Sequence, residues 1–159
     1  MFWLYKIMAR ASHNNLPLMV NPILAAMLAG YMVAACSTPP TSTTFTNNFQ
    51  QGVMAYDRGD YAAARTYWQP LADNYDLAAL RNIGHLYRLG QGVARNKAKA
   101  ADYYRRAAKL GFAPAQLNLA QMLEAGDGIA RDARAAQNWA TRAAQSGYAP
   151  ARAWLAVLN

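Results

Sequence analysis

The side chains able to do chemistry are few. This chain of 159 residues holds one cysteine, Cys36, two histidines, His13 and His85, and one glutamate, Glu124. A lone thiol excludes an intrachain disulfide. A zinc site gathers three or four Cys, His or carboxylate ligands. Nucleophilic catalysis needs a nucleophile beside a base that a third group orients. No stretch of this sequence offers either set, so it predicts no metal, no cofactor and no enzyme. Two kinds of candidate remain. Cys36 is a nucleophile that can be modified. A set of polar side chains also recurs at fixed spacing: Asn82, His85 and Arg88, then Asn118, Gln121 and Glu124. Amide, imidazole and guanidinium groups on one helix face are the chemistry of recognition rather than of bond breaking.

The surroundings of Cys36 are specific. Residues 1–35 read as a targeting segment in which Lys6 and Arg10 are the only charges. The apolar stretch Ile23–Ala35 has 13 residues, short of the roughly 20 that cross a bilayer as a helix. Its end, Val33-Ala34-Ala35-Cys36, resembles the lipobox of bacterial lipoproteins. That resemblance implies cleavage before Cys36 and lipid on its thiol, with more than one acyl chain for stable anchoring. Ser37, in place of an aspartate, implies sorting to the outer membrane, facing the periplasm. Residues 36–47 are rich in Ser, Thr and Pro and predict a tether. Adjacent prolines disfavour helix, and the Ser/Thr run has nothing to bury.

The net charge is +8 and 54% of the residues are hydrophobic, much of that alanine. An Ala-rich chain favours closely packed helices. The basic residues are scattered rather than clustered, which argues for a solvated basic face and against nucleic acid.

The elements that must position the polar set come from a repeat. Residues 79–114 and 115–150 align without a gap and share 13 identities over 36 positions. Pro114 and Pro150 suit the start of a first helix. Gly90-x-Gly92 and Gly126-x-Gly128 stop it, and Gly111 and Gly147 follow a second helix. Asn96 and Asp132 stand where a second helix wants its N-cap, and Ala107-Ala108 and Ala143-Ala144 allow close helix approach. Asp60, Ala64 and Ala72 continue the register upstream, with Gly59-Asp60 as a shorter inter-helix turn. Pro70 predicts a kink in that unit's second helix. The repeats therefore organise as 48–78, 79–114, 115–150 and a terminal helix 151–159. Tyr103, Tyr104, Trp139 and Trp68 read as core aromatics.

These residues resemble Sel1-like repeats, relatives of the tetratricopeptide repeat. The match runs through Ile83-Gly84, Tyr87, Gly90, Gly92-Val93, Asn96, Ala100, Tyr103-Tyr104, Ala107-Ala108 and Gly111, and again from Leu119 to Gly147. Ala120, Leu123 and Ala140 depart from the pattern. The resemblance implies an all-α fold, a short right-handed α-solenoid of stacked hairpins. It also implies a concave side, lined by first helices, that holds a protein or peptide. On that side the expected contacts are Asn82, His85, Arg88, Asn118, Gln121 and Glu124. Trp154, in the register of Asn82 and Asn118, is either folded back on the preceding unit or exposed for docking. The expected function is a non-enzymatic adaptor for an envelope protein or peptide, held at the membrane by lipid on Cys36. The alternative is an accessory that binds an acidic polysaccharide or a component of cell-wall or export machinery.

Overall fold

The computed structural model describes residues 42–158. The targeting segment, Cys36 and the first part of the expected tether lie outside them. The described residues form seven helices and no strand: α1 (Ser42–Asp57), α2 (Tyr61–Asp73), α3 (Leu77–Leu89), α4 (Lys97–Lys109), α5 (Ala113–Ala125), α6 (Ala133–Gln145) and α7 (Ala149–Leu158). Each helix packs chiefly on its neighbours in sequence. The result is the expected α-solenoid, in which a hairpin buries its apolar face only by stacking on the next.

Local chemistry sets the helix ends. Asp60, Asn96 and Asp132 each accept a hydrogen bond from the backbone N–H three residues on, at 3.0, 2.9 and 2.9 Å. These are the expected N-caps of α2, α4 and α6. Asp76 caps α3 in the same way, from the Ala79 N–H at 2.7 Å. Helix α5 instead opens with Pro114 in its first turn. Gly90 and Gly126 end α3 and α5 in left-handed conformation.

One local expectation changes. Residues 42–47, assigned to the tether, belong to α1. Pro40 is the last proline before them, and a helix held downstream by packing of Phe49, Val53 and Tyr56 extends through Ser and Thr at small cost. Helix α2 runs on through Pro70 to Asp73. Pro70 and Thr66 are exposed, so the Thr66 carbonyl that Pro70 leaves without a helical donor lies on the wet side.

Tyr75 breaks a rule of the repeat. Its φ is 63°, the one positive value among the described non-glycine residues. It stands 36 residues before Gly111 and 72 before Gly147, both at φ 88°. The turn after each second helix needs a left-handed residue, and here an exposed tyrosine supplies it at some cost in strain.

The core alternates small against large. Gly84 in α3 faces Tyr104 in α4, so close that a Cβ on Gly84 would lie 2.8 Å from the ring. Gly52 in α1 faces Trp68 in α2 still more tightly. Trp68 also donates from its indole N–H to the Phe49 carbonyl at 3.2 Å. In the third hairpin the equivalent pair is Ala120 and Ala140, both fully buried, and Trp154 and Leu155 of α7 pack against that cluster. Tyr103 is buried and stacked on Tyr87, while Trp139 is only half-buried.

Glycines also join hairpin to hairpin. A Cβ on Gly92 would stand 2.6 Å from the backbone of Tyr61 and Ala62 at the start of α2. Gly128 meets Lys97 and Ala98 at the start of α4 in the same manner. The second glycine of each Gly-x-Gly is thus the point where one hairpin's loop touches the preceding hairpin's second helix.

Candidate functional site

The predicted recognition residues fall into two groups. Those near the C-terminal ends of the first helices are occupied. Arg88 Nε donates to Asp127 Oδ2 at 3.2 Å, and Lys97 Nζ pairs with the other oxygen of Asp127. Asp127 lies in the loop of the next hairpin, so this triad clamps two repeats together. The Lys97 ammonium first, and Arg88 after it, hold the Asp127 carboxyl below the usual range against the opposing effect of burial. Glu124 accepts from the Arg131 guanidinium, which also binds the Glu124 carbonyl at 2.8 Å. Arg88 and Glu124 therefore brace the inter-helix loops. Sequence reading missed this because the partners sit 39 and 7 residues away across a turn.

The residues nearer the middle of the first helices differ. Asn82 and His85 are half-buried and line a pocket of ≈ 200 Å³ with Val53, Tyr56, Trp68 and Arg81. Burial first, then the guanidiniums of Arg81 and Arg88, push the His85 imidazole below its ordinary 6.5, so it is neutral at pH 7. A second pocket, of ≈ 310 Å³, runs along Phe49, Ala78, Arg81, Asn82, Pro114 and Tyr148. It draws residues from α1, α3 and α5 and from the turn before α7. Asn118 and Gln121 are half-buried and make no side-chain hydrogen bond among the described residues. Trp154 is half-buried against Leu117, Ala143 and the Ala120–Ala140 cluster. It folds back on the preceding hairpin and keeps part of its surface exposed.

Arg81 is the residue that sequence reading overlooked. It lines both pockets. Its Nη1 donates to Asn82 Oδ1 at 3.3 Å, while its Nε is buried and has no partner. A signal was present in the sequence. Arg81 aligns with Leu117, which is buried. With the first hairpin's loop four residues shorter, it aligns there with Phe49. A guanidinium in a column otherwise filled by apolar side chains needs a reason.

No other chemistry gathers on the described residues. They contain no group of three or more His, Cys, Asp or Glu that would hold a metal, and no helix long and apolar enough to cross a membrane.

The stacked hairpins, their paired glycines and their capped second helices decide the comparison with known proteins. Residues 77–112 and 113–148 match the Sel1 repeat. The chain thus carries two Sel1 repeats, flanked by α1–α2 and α7. Among solved structures it is similar to a Sel1 repeat protein from Oxalobacter formigenes, at 34% identity and a TM-score of 0.65. That likeness covers 69% of this chain and 45% of the other. It is similar also to c5321, a protective antigen of uropathogenic Escherichia coli with an SLR fold. There the identity is 29% and the TM-score 0.61, over 67% of this chain and 24% of that one. The cysteine-rich protein B of Helicobacter pylori, at 20% identity and a TM-score of 0.56, shares the fold over 71% of this chain and 96% of its own. The chain thus spans less than half the length of the first two. No curated protein matches its sequence. Sel1-repeat proteins in general mediate protein–protein interaction and are typically non-catalytic.

Proposed function

We propose that this chain is a lipid-anchored adaptor. Acylated Cys36 holds it at the outer membrane, facing the periplasm, and the first-helix side of the solenoid holds a peptide segment of an envelope protein. The observation that carries the reading is the pair of aromatic-lined pockets that meet at Arg81 and Asn82. They lie on the side built by α1, α3 and α5, the side on which related solenoids seat extended or helical peptides. Asn82, Asn118 and Gln121 add amide donors and acceptors along the same helices. The lipobox-like Val33-Ala34-Ala35-Cys36 supports the anchor.

The binding half is tested in intact cells with a photo-crosslinking residue in place of Asn82. A second copy of the experiment puts it at Ala98, exposed at the start of α4. Capture from position 82 and none from 98 is expected. Capture from 98 alone would move binding to the second-helix side and end this reading of the groove. The anchoring half is tested by Cys36→Ser. That variant is expected to lose radioactive fatty-acid label and to leave the membrane fraction. Retention in the membrane would show that an uncleaved apolar segment, and not lipid, provides the attachment.

A further inference from the structure

The described residues contain four ion pairs between cationic and acidic side chains: Arg88 and Lys97 on Asp127, Arg105 on Asp102, and Arg131 on Glu124. Arg81 takes part in none of them. Its one hydrogen bond is to the amide of its own neighbour, and its Nε is out of water with no acceptor. A buried donor without a partner costs free energy. Such a group calls for an explanation; Arg65 Nε is buried and unpartnered too, but it is Arg81 that lines both pockets. Its surroundings deepen the contrast. On one side lie Val53, Tyr56 and Trp68, and on the other Phe49, Pro114 and Tyr148. No carboxylate lines either pocket, and the nearby His85 is neutral at pH 7.

From this we infer that Arg81 is a carboxylate-binding site, and that its ligand is the side chain of an Asp or Glu within a peptide, flanked on both sides by apolar residues. The inference rests on the adaptor reading in that the occupant is a peptide. Charge complementarity selects an anion, and the planar guanidinium fork matches a carboxylate. The position of Arg81 between two pockets selects an internal acidic residue over a chain terminus, because a chain that ended at Arg81 would leave one pocket without a side chain. The chain's own segment 1–41 is not the occupant, since it contains no Asp or Glu. Removing Arg81 gives up one long hydrogen bond to its neighbour Asn82 and relieves a buried donor that has no acceptor, so the fold should tolerate the change.

The test uses the full chain in detergent and a library of ten-residue peptides, acetylated and amidated. One glutamate is fixed at the centre, and the flanking positions are randomised among apolar and small residues. A matched library carries glutamine at the centre. Peptides enriched on the protein are then titrated by fluorescence anisotropy. Expected is a preference of about tenfold or more for glutamate over glutamine, the usual effect of hydrogen bonds to a charged group. Arg81→Gln should abolish that preference and leave the melting temperature unchanged. Arg131→Gln, which removes a loop cation outside the pockets, should keep the preference. Equal binding of the two libraries overturns the inference, as does no binding of either, or an Arg81→Gln variant that still prefers glutamate. A preference that a free C-terminal carboxylate satisfies better than the internal glutamate also overturns it. Failure here with position 82 still crosslinking in cells would leave the adaptor standing. Binding of the glutamate peptides without capture in cells would remove the adaptor and keep the site.

Discussion

Gly128→Ala measures what joins one hairpin to the next. Gly128 has φ 78°, and an L-residue there costs roughly 1–2 kcal/mol. A Cβ would also press on Lys97, 2.8 Å from its carbonyl carbon, and reach 3.0 Å from the Ala98 nitrogen. Those atoms are backbone in the first turn of α4 and cannot rotate aside. Forcing an extra carbon into such a contact adds roughly 1–3 kcal/mol. The expected loss is about 3 kcal/mol. Gly147→Ala is the control. Gly147 has φ 88°, and nothing stands within 4 Å of its missing Cβ. It carries the conformational cost alone, about 1 kcal/mol. Both variants gain the same small benefit from a stiffer unfolded chain, so the difference, about 2 kcal/mol, isolates the inter-hairpin contact. Gly92→Ala, against Tyr61 and Ala62, should behave like Gly128→Ala. The assay is urea unfolding of the full chain in detergent, followed by far-ultraviolet circular dichroism and compared at equal m. If Gly128→Ala and Gly147→Ala lose the same stability to within about 0.5 kcal/mol, the hairpins are not held by this close approach.

Three further outcomes follow from single residues. Tyr75→Gly should leave stability unchanged or raise it by up to about 1 kcal/mol, since relief of a left-handed tyrosine is partly offset by a more flexible unfolded chain and by the loss of a cation–π contact with Arg106 at 5.6 Å; a clearly lower urea midpoint would refute it. Asp127→Asn should cost about 1–2 kcal/mol at pH 7 by breaking the clamp to Lys97 and Arg88. Because the Asp127 carboxyl is held below its ordinary 3.8, the clamp's contribution is full above about pH 4 and is lost as pH falls through the depressed value. Wild type should therefore lose stability over that acid window relative to Asp127→Asn, and parallel pH–stability curves would refute the clamp. Asp132→Ala should cost about 1 kcal/mol through the lost cap of α6, visible in the same urea titration.

Some of this molecule is legible in the order of its residues, and the reason is range. A cap needs its own side chain and an N–H three residues on, so Asp60, Asn96 and Asp132 could be read directly. The helix stops at Gly90 and Gly126 depend on local backbone angles, and the 36-residue repetition betrays the hairpin. What the order of residues left open depends on neighbours distant in the chain. Arg88 and Glu124 look like free donors and acceptors until the turn brings Asp127 and Arg131 to them. Trp154 has the register of a groove residue, but the small Ala120 and Ala140 leave it room to fold inward. Arg81 stands out in the sequence only as a cation in an apolar column, and the two pockets that it lines are what give it a role. Local hydrogen bonds and backbone angles fixed the hairpins. Stacking decided which polar side chains brace the solenoid and which face an open pocket, because a charge is committed by whatever lies within a few ångströms of it, however far away in sequence.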